Sequence, residues 1–99
     1  MIIERNKFHL NFGKAKEGIA AWKQILEVAK DHNLHARLMT DVTGESYLLI
    51  VDIFLKNWND INPKNYYWAT DEKFSALYEQ FKPLCHFAER EYFKIEAEG

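Results

Sequence analysis

The sequence predicts an α+β protein of β-α-β-β-α-β order. Such a chain forms a four-stranded antiparallel sheet with both helices on one face, the ferredoxin-like arrangement. Three observations carry this. Apolar and polar residues alternate over the first dozen positions, two later segments repeat their apolar residues at steps of three and four, and residues 47–55 are almost continuously apolar.

The elements follow in order. Over residues 2–12, Ile2, Phe8, Leu10 and Phe12 share a face with Glu4 and Asn6, while Arg5, Lys7, His9 and Asn11 take the other, and Gly13 ends the strand. In "KAKEGIAAWKQILEVAKDHN", Ala15, Ile19, Trp22, Leu26 and Ala29 recur at helical steps, and Ile25 and Val28 widen the stripe. Gly18 within it costs about 1 kcal/mol relative to Ala, so it predicts a close backbone approach. Asn33 suits a left-handed stop. Residues 34–42 alternate again, with Leu34, Ala36, Leu38 and Val42 opposed to His35, Arg37, Met39 and Asp41. "TGE" turns the chain into residues 47–55, making a hairpin whose second member is a central strand, apolar on both faces. Residues 56–69 are polar apart from their aromatics and Ile61. Thr70 or Asp71 then caps a second helix with Phe74, Leu77, Tyr78, Phe81 and Leu84 on its apolar face. Pro83 ends that helix, and residues 85–96 close the chain as a fourth strand.

Composition narrows the function. The 99 residues fit one core, a single domain spanning 1–99, and 47% hydrophobic residues exclude general disorder. Thirteen basic against fifteen acidic residues give a net charge of −2, which offers no attraction to nucleic acid or an anionic membrane. The third strand, "YLLIVDIF", also lacks the basic-aromatic signature that stacks RNA bases. Glu4 and Arg5 interrupt any signal-peptide run, "YLLIV" is too short to span a bilayer, and Cys85 stands alone, so a soluble cytoplasmic protein is expected. His9, His32, His35 and His86 form no metal motif, and no nucleophile triad, phosphate-cradling loop or CxxC is present. The sheet face away from the helices mixes Arg5, Lys7, His9, His35, Arg37 and Asp41 with Met39 and the outer side of the apolar strand. A half-apolar face of this kind predicts a homodimer in which a second copy covers it, sheet against sheet.

"NPKNYYWATDEK" sets Tyr66, Tyr67 and Trp68 together where turn residues are the rule, so the rings must cover a core, a second copy or a ligand. Asn6 is the polar outlier of another kind, an amide on an otherwise helix-facing apolar strand side, which a neighbour or a ligand must satisfy.

The element order and the stretches "HLNFGKAKEGIAAW", "FSALYEQFKPL" and "EREYFKIE" resemble the dimeric α/β-barrel superfamily. Within it the chain looks most like the antibiotic biosynthesis monooxygenase and NIPSNAP-like families. Haem-degrading members carry an Asn on the first strand, a Trp near the start of the last helix, and an iron-ligating His ten residues further on. Asn6 and Trp68 match the first two, and Tyr78 stands in place of the His. The resemblance therefore implies no cofactor and no metal. It implies the cofactor-independent oxygenase pattern, with Asn6, Trp68 and Tyr78 as catalytic candidates and Phe8, Trp22, Tyr66, Tyr67 and Phe74 lining a pocket for a small aromatic or polycyclic molecule. The other reading is a non-catalytic dimeric module that binds a small molecule or a partner, with the same residues packed solid.

Overall fold

The computed structural model describes residues 1–44, 46–57 and 71–99. Tyr66, Tyr67 and Trp68 lie outside the described residues. The element order is β1 (Ile2–Leu10), α1 (Ala15–Asp31), β2 (His35–Thr40), β3 (Leu48–Leu55), α2 (Glu72–Phe81) and β4 (Cys85–Lys94), with one 3-10 turn (Lys82–Leu84) before β4. The strands form one antiparallel sheet in the order β2-β3-β1-β4. This is the α+β, ferredoxin-like fold that the alternation and helical spacing predict.

β1 is shorter than its alternation suggests. The Asn11 N–H donates to the Leu84 carbonyl at 2.7 Å, and Gly13 turns the chain at φ 79°. Phe12 consequently falls in the turn, 89% exposed, with its ring tilted 5.4 Å from Tyr47 instead of facing the helices. α1 begins directly after this turn. A Cβ on Gly18 would stand 3.2 Å from both Leu10 methyls, the close approach that the glycine predicts. Asn33 ends the helix with φ 58°. Asp71 caps α2, its Oδ1 accepting from the Lys73 N–H at 2.7 Å. Pro83 sits in the 3-10 turn that finishes the helix.

Even-numbered β1 residues and odd-numbered β3 residues face the helices. Ile2, Phe8, Leu10, Leu49, Val51, Ile53 and Leu55 are buried there with Trp22, Ile25 and Phe81. The other face carries Arg5, Lys7 and His9 beside Glu89 and Glu91, with Arg37, Asp52 and Phe54 across the sheet. The expectation of an apolar β3 on this side meets one exception. Asp52 is wholly buried, gripped by Arg5 and Arg37 from the neighbouring strands. Leu48, Ile50 and Phe54 are half-buried around it. Among the described residues no helix is long and apolar enough to cross a membrane.

Candidate functional site

Two side chains break the apolar layer between sheet and helices. Glu4 is 3% exposed and Asn6 7%, both on the helix-facing side of β1. Burying polar groups in such a layer costs free energy unless every one is hydrogen-bonded. The partners come from β4, because the ladder sets Glu4 opposite Tyr92 and Asn6 opposite Arg90. The Tyr92 hydroxyl donates to Glu4 Oε1 at 3.0 Å, Asn6 Nδ2 donates to Glu4 Oε2 at 3.2 Å, and Arg90 Nε donates to Asn6 Oδ1 at 2.9 Å. Arg90 Nε also lies 4.0 Å from Glu4 Oε1. Phenol, carboxylate, amide and guanidinium thus form one chain of contacts across two strands.

The amide of Asn6 couples the pair: its oxygen holds the guanidinium and its nitrogen holds the carboxylate. Burial, reinforced by the Glu4 carboxylate, raises the Tyr92 phenol above its ordinary value, and Arg90 opposes the rise. Tyr92 therefore stays a proton donor at neutral pH.

Beside this cluster stands a wall of rings. Phe8, the next helix-facing residue on β1, lies 5.5 Å from Trp22, 6.5 Å from Tyr78 and 4.9 Å from Phe81, centroid to centroid. Phe74 stacks on Tyr78 at 5.5 Å. Such offset and edge contacts are the arrangements that aromatic quadrupoles favour. The Tyr78 phenol is raised by burial and by Cys85, while Arg90 and Lys82 pull it down. Arg90 is therefore within electrostatic reach of both tyrosines. The Trp22 Nε1–H is buried without a hydrogen-bond partner among the described residues.

Ala88 and Arg90 lie on the helix-facing side of β4 and are nevertheless exposed.

The structure brings Phe8, Trp22, Phe74 and Tyr78 together as the sequence reading groups them. It ties Asn6 to β4 through Arg90. Glu4, Arg90 and Tyr92 are additions to that reading. Glu4 shares the face of Asn6 in the alternation and was legible there. Arg90 and Tyr92 alternate in "EREYFK", yet only the β1–β4 register sets them against Asn6 and Glu4. Among the described residues no group of His, Cys, Asp and Glu is placed to hold a metal ion.

No family model and no curated protein matches the chain. Solved structures do. A NIPSNAP domain protein from Burkholderia xenovorans superposes with a TM-score of 0.85 at 15% identity, covering 98% of this chain and 96% of its own. A NIPSNAP family protein from Agrobacterium tumefaciens gives 0.80 at 16% identity, covering 94% and 90%. A cofactor-independent oxygenase from Streptomyces nogalater gives 0.71 at 10% identity, covering 98% and 94%. At these identities the likeness is one of fold: this chain has the fold of the NIPSNAP and antibiotic biosynthesis monooxygenase-like proteins.

Proposed function

We propose that this chain binds a small aromatic or polycyclic molecule between α2 and the β1–β4 side of the sheet, and oxidises it without a cofactor. One observation carries the reading: the buried Glu4–Asn6 pair, tied to Arg90 and Tyr92 of β4 and bordered by the rings of Phe8, Trp22, Phe74 and Tyr78, in a layer otherwise apolar. A pocket of that make-up, apolar walls with a few convergent polar groups, is what small-molecule sites share. The fold shared with a cofactor-independent oxygenase points the same way.

In this reading Glu4 takes a proton from an acidic C–H or O–H of the substrate. The resulting carbanion or phenolate is the species that molecular oxygen oxidises directly. Asn6 and Tyr92 hold the Glu4 carboxylate in place, and Tyr78 donates to oxygen atoms that gain charge. Trp68, Tyr66 and Tyr67 belong to the proposal as further pocket walls. The protein acts in the cytoplasm as a homodimer whose two copies meet through the Arg5–Asp52–Arg37 face, burying more than about 1,200 Å² in total. Light scattering at micromolar concentration should give twice the chain mass, and a monomer there would refute the assembly.

Anthrone under air tests the chemistry: one molecule of oxygen converts it to anthraquinone and water. The wild type should accelerate oxygen uptake, and Glu4→Gln should lower the rate about 10²–10⁴-fold, the range of general-base losses. A second reading has its own support, since the Asn6 amide is held at both ends by neighbours and the ring wall is in contact with itself. A non-catalytic module would bind an aromatic ligand and leave oxygen uptake at the uncatalysed rate.

A further inference from the structure

A pocket that the proposed function does not use opens between the first turns of α1 and the turn end of the β2–β3 hairpin. Its volume is about 300 Å³, at the small end of ligand sites. Leu10, Ile19 and Leu48 supply its apolar wall, and Thr40, Asp41 and Tyr47 its polar one.

Asp41 is fixed at that wall. Its Oδ1 accepts from the Leu48 N–H at 3.1 Å, and its own N–H donates to the Leu48 carbonyl at 3.3 Å. Every other carboxylate that is buried or half-buried among the described residues faces a cation. Glu4 faces Arg90, Asp52 faces Arg5 and Arg37, Asp71 faces His32, and Glu91 faces Lys7. Asp41, half-buried, has no cation beside it among the described residues. Water can solvate such a group at little cost, so it is the adjoining pocket that makes the charge a recognition element. Tyr47 stands nearby at φ 61°, a left-handed backbone that is costly for a bulky residue, its carbonyl accepting from the Leu10 N–H at 2.8 Å. The exposed Phe12 ring lies 5.4 Å from the Tyr47 ring, tilted by 52°. A carboxylate beside aromatic rings attracts an organic cation.

We infer that this pocket binds an arylalkyl ammonium monocation, its ammonium group on Asp41 and the Tyr47 ring and its apolar body against Leu10, Ile19 and Leu48. The competing occupant is an anion, because the N-terminal end of α1 carries about half a positive charge. Glu17 in the first helical turn already answers that charge, and Asp41 would repel an anion with a full one. Lys14 is paired with Glu17 at 3.3 Å, and the exposed Lys16 is not part of the pocket wall. A divalent metal ion fits worse, since Ca²⁺ or Mg²⁺ asks for about six oxygen ligands and the pocket offers one carboxylate.

Two probes of equal shape, phenethylammonium and the neutral phenethyl alcohol, test this by titration of the amide resonances of the whole chain. The wild type should bind the ammonium at least about fivefold more tightly, with the difference shrinking as salt rises. The shifts should centre on Ile19, Asp41 and Leu48. Asp41→Asn keeps an acceptor for the Leu48 N–H and loses the charge, so it should erase the preference and leave alcohol affinity within about twofold. Tyr47→Leu, apolar but without the ring, should lower ammonium affinity about two- to fivefold. The amide spectrum establishes that each variant is folded, and the wild-type comparison decides even where one is not. Equal binding of the two probes by the wild type, shifts centred away from the pocket, or a preference that survives in Asp41→Asn overturns the inference. Failure of the wild type to bind the ammonium at concentrations up to about 10 mM overturns it as well. None of these results bears on Glu4 or Asn6, so the proposed function is tested apart from them.

Discussion

Asp52 is the buried charge on which the helix-free face depends, and removing it has a magnitude that can be worked out. Its carboxylate is fully buried and accepts from Arg5 Nε at 2.8 Å, Arg5 Nη2 at 3.0 Å and Arg37 Nε at 2.9 Å, with Arg37 Nη2 at 2.9 Å. Breaking a buried ion pair from one side costs about 3–5 kcal/mol, because the partner is left charged and unpaired. Here the partners are 30% and 49% exposed, so water partly replaces the lost carboxylate. The low end applies, about 3 kcal/mol for Asp52→Ala, a large share of the 5–15 kcal/mol typical of a domain. Urea unfolding at fixed protein concentration should show the midpoint falling by roughly 1–3 M with an unchanged slope. Acid unfolding gives a second readout. Burial raises the Asp52 carboxyl, but the hydrogen bonds from Arg5 and Arg37 outweigh it and hold the group below its ordinary value. A depressed folded value contributes stability that is present above the unfolded value, about 3.9, and is lost as pH falls through the folded one. The variant should therefore lose less stability than the wild type below about pH 4. A loss under about 1 kcal/mol at neutral pH, or parallel acid limbs, would refute the anchoring role.

Other expectations are smaller. Gly18→Ala gains about 1 kcal/mol of helix propensity and meets the Leu10 methyls at 3.2 Å. Leu10 is buried and cannot yield freely, so a net loss of about 1 kcal/mol is expected in thermal unfolding, and a stabilised variant would contradict the packing. Trp22→Phe removes a buried donor that has no partner among the described residues, which offsets part of the volume lost. It should cost about 1 kcal/mol where Trp22→Ala costs about 3–5, and a loss of the larger size from the Phe variant would mean that Nε1 is satisfied. Haem titration should give no sharp Soret band. The Tyr78 phenol is raised by burial, and its ring is engaged by Phe8, Trp22, Phe74 and Phe81, which disfavours the phenolate that ligates iron.

The fold was legible because both periodicities are clean, and the turn chemistry at Gly13, Asn33 and Asp71 agrees with them. What escaped depends on contacts across long sequence separations. Phe12 fits the alternation as well as Leu10 does, yet the Asn11 N–H leaves the ladder for Leu84, and no local pattern announces that bond. Asp52 stands inside a run read as apolar on both faces, and nothing local marks it as a buried charge. It is buried because two arginines, 47 and 15 residues distant, converge on it. The candidate site divides in the same way. Asn6 is conspicuous as a polar residue on an apolar face, while Arg90 is one charge among many in "EREYFK" until the pairing of β1 with β4 gives it a partner.

That pairing does two jobs at once. β1 sends Glu4 and Asn6 to the helix side and Arg5, Lys7 and His9 to the open side, and β4 answers with Arg90 and Tyr92 on one face and Glu89 and Glu91 on the other. A slip of one residue would reverse every assignment. Arg90 would leave Asn6, and Glu89 and Glu91 would enter the apolar layer beside Glu4, where unpaired carboxylates are costly. The register is held at one end. Between His9 and Leu10 the partner jumps from Phe87 to Cys85, so His86 is the extra residue of a bulge, and the Asn11 N–H bond to Leu84 closes the ladder beyond it. Bulges fix register and re-aim side chains next to sites. The Glu4–Asn6–Arg90–Tyr92 contacts and the charge pairs on the open face therefore rest on the same irregularity, so a change that relieved the bulge would disturb the proposed ligand site and the face proposed for the second copy together.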